Sequence, residues 1–339
     1  MSVSERNEEE LRSLLTSFSE GLSLYQQVLA AKNLSEIKSP KVDNLKDETI
    51  KILKLIYAHT TKIGIAFRPP VAVNAAYSQV KEVSQFFLLL ISTMSLYEQD
   101  SSYSNFYTTE LIEQVRKLVS TYISFLAELQ KLEFDEKKGE NEETVDSRLV
   151  SIGIIWDQCT TTEVLVTEGN LGLLKKNIKQ SIKIIEDALD EFGEWLEDPQ
   201  KYDEADPFGL GDVASEDEGS QKEEEEVDPS LVLLGKRWKE KLKLVKLLLS
   251  SLIKSLPDNE ERIEGKDLDI FDKEQKYLIE QVDELVAGFF LNLSLYEVEK
   301  IARIIEKQSG HLIDLVTNLN ENDEKKVKWL NIWMERFST

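Results

Sequence analysis

Apolar residues recur along this chain in steps of three and four, the period of one face of an α-helix. Leu171, Leu174, Ile178, Ile182, Ile185, Leu189, Phe192 and Leu196 keep that step through one unbroken stretch. The same step links Leu11, Leu15, Phe18, Leu22 and Tyr25, then Leu111, Val115, Leu118, Tyr122 and Leu129, then Leu278, Val282, Leu285, Phe289 and Leu293. No stretch sustains the apolar-polar alternation of a strand, and no Asn-Gly or Asp-Gly hairpin signal occurs. All seven prolines (Pro40, Pro69, Pro70, Pro199, Pro207, Pro229 and Pro257) fall between the periodic stretches. A proline inside a helix costs about 3 kcal/mol, so this placement predicts long uninterrupted helices. Asp228 followed by Pro229 reads as an N-cap with proline in the first turn, and Ser294 with Glu297 reads as a capping box.

The pattern predicts ten helices, over 5–31, 41–67, 71–98, 106–133, 146–167, 171–197, 229–256, 272–292, 295–319 and 323–337. Helices of this length with short connections pack as antiparallel bundles. The 339 residues suit about two domains at roughly 150 residues each. The expectation is therefore an all-α fold of two packed antiparallel bundles, 1–140 and 141–339. Residues 134–145 are charged and lack a core face. In 198–228, thirteen acidic residues stand against Lys201 and Lys222, which predicts a disordered acidic loop within the second bundle.

Charge narrows the classes of partner. With 64 acidic and 41 basic residues the formal net charge is -23, and such a surface repels phosphate backbones and anionic membranes. Direct nucleic-acid binding is not expected. The apolar runs from Phe86 and from Leu285 fall short of the roughly 20 residues of a membrane span. The start, MSVSERNEEE, has neither signal-peptide nor transit-peptide character. The one cysteine, Cys159, cannot build a disulfide framework and fits a reducing compartment.

Catalytic chemistry finds little support in the residues. His59 and His311 each stand alone on a helical pattern, and Cys159 has no histidine near it in sequence. No Glu-x-x-His pair of a bundle metal site occurs. Asp203-Glu204-Ala205-Asp206 spells a helicase box inside the acidic stretch, without the phosphate loop that would give it meaning. No catalytic, cofactor-binding or metal-binding residue is assigned, no cofactor is expected, and the expectation is a protein that is not an enzyme.

Three features are candidates for function. Ser215 precedes Glu216-Asp217-Glu218 and Ser220 precedes Glu223, the pattern of acid-directed phosphorylation, in a loop that is either a solvated linker or a regulatory tail. The helix from Gly235 carries Lys236, Arg237, Lys239, Lys241, Lys243 and Lys246 beside an apolar stripe of Trp238, Leu242, Val245, Leu249, Leu252 and Leu256. It reads either as a core helix with a basic outer face or as a docking helix, and it is expected to fold under the acidic loop. Leu242, Leu249 and Leu256 are too few for a zipper. Trp329 and Trp333 lie one turn apart on the last helix, as core residues or as a partner contact.

Several segments resemble one known family. They are TTKIGIAFRPPVAVNAAYSQVKEVSQFF from Thr60, GIIWDQCTTTEVLVTEGNLGLLKKNI from Gly153, FGEWLEDPQKYDEADPFGL from Phe192 and LDIFDKEQKYLIEQVDELVAGFF from Leu268, closed by WLNIWMERF from Trp329. Their order and spacing are similar to those of the GCIP family, the cyclin-D-binding, helix-loop-helix-interacting regulators, and suit a fungal or other non-mammalian member. The resemblance implies a two-bundle fold like those of vinculin and α-catenin. It also implies a non-enzymatic negative regulator of cell-cycle progression that binds cyclin or transcription-factor partners in cytoplasm and nucleus. Trp156, Cys159 and Asn170 match the family pattern, and the role it implies for them is packing. The alternative is a cytoskeletal or complex-assembly scaffold.

Overall fold

The computed structural model describes residues 8–31, 34, 37, 39, 41–132, 134, 142–199, 227–257, 263–320 and 323–339, with side chains from 148 onward in the segment that starts at 142. Among the described residues there are nine helices and no strand: α1 (Glu8–Ala30), α2 (Leu45–Ala66), α3 (Val73–Gln99), α4 (Asn105–Lys131), α5 (Glu142–Glu197), α6 (Pro229–Ser255), α7 (Gly265–Phe290), α8 (Leu295–Leu319) and α9 (Glu324–Ser338). The all-helical, bundle-like fold expected from the periodicity is present. The acidic segment centred on 200–226 lies outside the described residues.

Two predicted helices, 146–167 and 171–197, form the single long element α5. Gly169 breaks its helical geometry with φ 64° and ψ -160°, a region that only glycine occupies readily. Other boundaries follow the predicted chemistry. Asp228 caps α6 through the Ser230 amide at 2.8 Å. Ser294 and Glu297 complete a capping box on α8. Between α7 and α8, Asn292 adopts φ 49°. The Leu293 amide bonds the Gly288 carbonyl at 3.0 Å and the Asn292 amide bonds that of Phe289 at 3.2 Å. These two bonds are a Schellman closure with asparagine in the left-handed position.

The chain divides into two compact units: residues 1–173 with 263–266, and residues 174–262 with 267–339. The expected boundary is at 140. The contacts set it after Leu173, because the first part of α5 packs onto the first bundle.

In the first unit, α1 runs antiparallel to α4, with Arg12 donating to the carbonyls of Gln130 and Leu132 at 2.8 and 3.0 Å. Phe18, Phe87 and Tyr122 meet at its centre with ring centroids 4.8–5.8 Å apart. The first part of α5 is tied to α4 by Ser151 to Glu128 at 2.9 Å and Gln158 to Thr121 at 2.8 Å.

The second unit is an up-down-up-down four-helix bundle with one helix added. The second part of α5 is parallel to α7, through Asn177 to Asp272 at 2.8 Å and Ser181 to Gln275 at 2.6 Å. It is antiparallel to α6, where Gly235 sits against Phe192, Trp195 and Leu196. Glu274 and Gln308 bond across antiparallel α7 and α8. Helix α9 then packs on α6 and α8.

Candidate interaction surface

Two of the segments that carried the family resemblance, from Thr60 and from Gly153, begin on α2 and on the first part of α5, and these helices form an antiparallel pair. Lys54 pairs with Glu163 at 3.0 Å. Tyr57 stacks on Trp156 with centroids 5.2 Å apart, and the Trp156 indole donates to Thr61 at 3.2 Å. Ile152 fills the space beside Gly64, where an added Cβ would lie 2.5 Å from its Cδ1. Arg148 donates to the Phe67 carbonyl at 2.8 Å. Gly64 therefore lets the two helices approach closely, and the register runs evenly from Lys54–Glu163 to Phe67–Arg148.

The solvent side of this seam is apolar. Ile65 continues the stripe of Tyr57 and Thr61 one turn further and is 69% exposed. Leu149 continues the stripe of Trp156 and Gly153 and is 57% exposed. Between them Gly153 leaves open space, since an added Cβ would meet no atom within 4 Å. The result is a shallow trough with Tyr57 and Trp156 at one end and Ile65 and Leu149 at the other. Exposed apolar side chains gathered in one place mark contact surfaces.

Of the other residues matched to the family pattern, Cys159 is buried in the first core, and burial, then Glu163, pushes its thiol pKa up to about 12. Asn170 follows the break at Gly169. Its side-chain oxygen accepts from the Ser104 amide and hydroxyl, each at 3.0 Å, and its nitrogen donates to the Ser102 carbonyl at 3.0 Å. Because Ser104 is the N-cap of α4, Asn170 fixes both the loop before α4 and the start of that helix. His59 rests edge-on against Phe86 at 5.1 Å, and burial, then Lys62, holds its pKa below the usual histidine range. His311 belongs to the second unit and lies 3.9 Å from Glu274.

In the second unit the whole apolar stripe of the basic helix is buried: Trp238, Leu242, Val245, Leu249, Leu252 and Leu256 all face the core of α6. Lys241 departs from the expected basic outer face. It is 5% exposed, its ammonium bonds Glu306 at 2.8 Å, and it lies over the rings of Trp238 and Phe337 at 5.5 and 5.2 Å. Lys239, Lys243 and Lys246 instead border an open groove of about 930 Å³ opposite carboxylates of α5, with Lys246 pairing with Glu186 at 2.9 Å. Trp333 is buried, donates to the Leu244 carbonyl at 2.8 Å and stacks on Phe337 at 4.5 Å. It serves the fold of α9 and offers no free surface, while Trp329 is half-buried. Ser215 and Ser220 lie outside the described residues.

The α2–α5 trough falls inside the region that known proteins identify. Residues 48–198 match the family model described as Grap2 and cyclin-D-interacting, N-terminal. Through this segment the chain is similar to that family. Relatives extend the likeness beyond it. The chain is 29% identical over 304 residues to an uncharacterized protein of Saccharomyces cerevisiae, covering 86% of this chain and 85% of that one. It is 27% identical over 234 residues to an uncharacterized protein of Schizosaccharomyces pombe, covering 67% of this chain and 64% of that one.

Proposed function

We propose that this protein is a non-enzymatic regulator that works by binding other proteins, and that its targets are of the cyclin or helix-loop-helix class, through which it restrains cell-cycle progression in cytoplasm and nucleus. One observation carries the reading. The segment that matches a cyclin-D-interacting family is the segment whose paired helices present Tyr57, Trp156, Ile65 and Leu149 along one seam. A rigid seam bordered by exposed apolar residues suits an amphipathic helix laid along it, with anchors spaced by one helical turn.

The test is recovery of partners with the tagged full-length chain in its own cells, beside a Gly153→Glu variant. Cyclins or helix-loop-helix factors that co-purify with the parent chain and are lost with the variant support the reading. Recovery of cytoskeletal components instead moves the assignment to the scaffold reading.

A further inference from the structure

The α2–α5 trough sits in an unusual electrostatic setting for so acidic a chain. Between Glu48 and Glu82 the sequence carries Lys51, Lys54, Lys62, Arg68 and Lys81 and no carboxylate, although the chain as a whole has a net charge of -23. Two of these cations are answered locally, Lys51 by Glu48 at 3.3 Å and Lys54 by Glu163 at 3.0 Å. Lys62 and Arg68 are exposed and make no ion pair among the described residues. They bracket Ile65, at positions three before and three after it. Among the described residues, the apolar end of the trough at Ile65 and Leu149 is therefore flanked by the unpaired cations Lys62 and Arg68, and the opposite end at Tyr57 and Trp156 is closed by the neutral Lys54–Glu163 pair.

The dimensions favour a helix as occupant. Tyr57 and Ile65 are eight residues apart on α2, a rise of about 12 Å. Two turns of a docked helix span about the same length, so anchors at i, i+3 or i+4, and i+7 would reach both apolar ends. The open space over Gly153 lies between those ends, where a central anchor would enter.

We propose that the trough is a docking site for an acidic amphipathic helix of another protein, with its apolar face on Tyr57, Trp156, Ile65 and Leu149 and its carboxylates directed at Lys62 and Arg68. This rests on the protein-binding reading above and adds the chemistry of the partner. Charge complementarity of this kind sets orientation and association rate, and it suppresses basic competitors.

The experiment uses the full chain and two synthetic helical peptides of about 20 residues, a length at which a helix becomes stable enough to present one face. Both carry the same leucine and tryptophan anchors, and one has glutamate and the other lysine at the flanking positions. Binding is followed by fluorescence anisotropy. The glutamate peptide is expected to bind at least about tenfold more tightly than the lysine peptide, with the preference falling as salt rises. Gly153→Glu is expected to abolish binding while leaving the melting temperature unchanged or higher. The position is open, and glutamate is a better helix former than glycine. The exposed pair Lys62→Glu and Arg68→Glu is expected to reverse the preference between peptides.

Equal binding of both peptides, lost with Gly153→Glu, would overturn the acidic partner and leave the docking trough intact. Failure of both peptides to bind, or binding unaffected by Gly153→Glu, would overturn the site itself. Self-association of the chain that competes with the glutamate peptide would replace the partner by a second copy and overturn the proposal as well.

Discussion

The ammonium of Lys241 lies 2.8 Å from a carboxylate oxygen of Glu306, and the pair joins α6 to α8 beneath the rings that hold α9 in place. The lysine is nearly buried and the glutamate is almost half exposed, so the pair has a dry end and a wet end. The long alkyl stem of Lys241 supplies packing as well as charge. Replacing Lys241 by methionine keeps that packing and removes the need to pair a cation, and stability is expected to change by less than about 1 kcal/mol. Glu306→Ala leaves the cation without its partner and is expected to cost about 1 kcal/mol, a figure held down by the exposure of the carboxylate. Lys241→Ala removes stem and charge together and is expected to cost about 2 kcal/mol. Urea denaturation of the three variants checks the order.

Asn170 is expected to be more sensitive than any surface residue. It satisfies the Ser104 amide, the Ser104 hydroxyl and the Ser102 carbonyl, all next to the start of α4. Asn170→Ala strips these groups of their partner in a buried place, at about 2–3 kcal/mol. Asn170→Asp keeps the acceptor toward Ser104 but loses the donor to Ser102 and buries a charge, so it is expected to be no better than alanine. The midpoint of denaturation should fall in both with the slope unchanged.

Glycine substitutions separate conformational need from mere presence. At Gly169 the backbone sits at φ 64°, ψ -160°, and Gly169→Ala is expected to cost about 1–3 kcal/mol through strain. Gly21 and Gly153 are helical and have open space where a Cβ would go. Alanine at either is expected to stabilise by about 0.5–1 kcal/mol. Thermal melts of the three single variants give opposite signs for the first and the other two.

Local period and cap chemistry made most of the helices legible, because both act within one or two turns of chain. The break between 167 and 171 is readable as a helix end, but the local pattern does not distinguish two separate helices from one long helix interrupted at Gly169. Helix α7 begins at Gly265, earlier than the predicted 272, where Leu268 and Phe271 already keep a buried face behind a charged surface. Residue type alone places Lys241 on the outer face, whereas its burial follows from the aromatic rings of two other positions and from Glu306, 65 residues away. Trp333 reads the same in sequence whether it faces solvent or the Leu244 carbonyl. The trough was illegible for the same reason: Trp156 meets Thr61 across 95 residues, and no local pattern announces which helices will pair.

Cys159 offers a pH-dependent signature of the first core. Burial keeps its thiol protonated in the folded chain up to about pH 12, against an ordinary value of 9.0. Above pH 9 the unfolded chain releases this proton and the folded chain retains it, so the folded state binds more protons and stability falls as pH rises. This contribution is absent below pH 9 and grows through the window from 9 to 12. Cys159→Ala removes the titrating group at the cost of a small cavity, so the variant is expected to be less stable at pH 7 but to decline less steeply between pH 9 and pH 11. The same burial predicts that the native thiol reacts with a disulfide reagent at pH 8 only as fast as the core opens, and at the full rate of a free thiol in concentrated urea. A parallel decline of parent and variant with pH, or immediate reaction of the native thiol, would show that water reaches Cys159 in the folded protein.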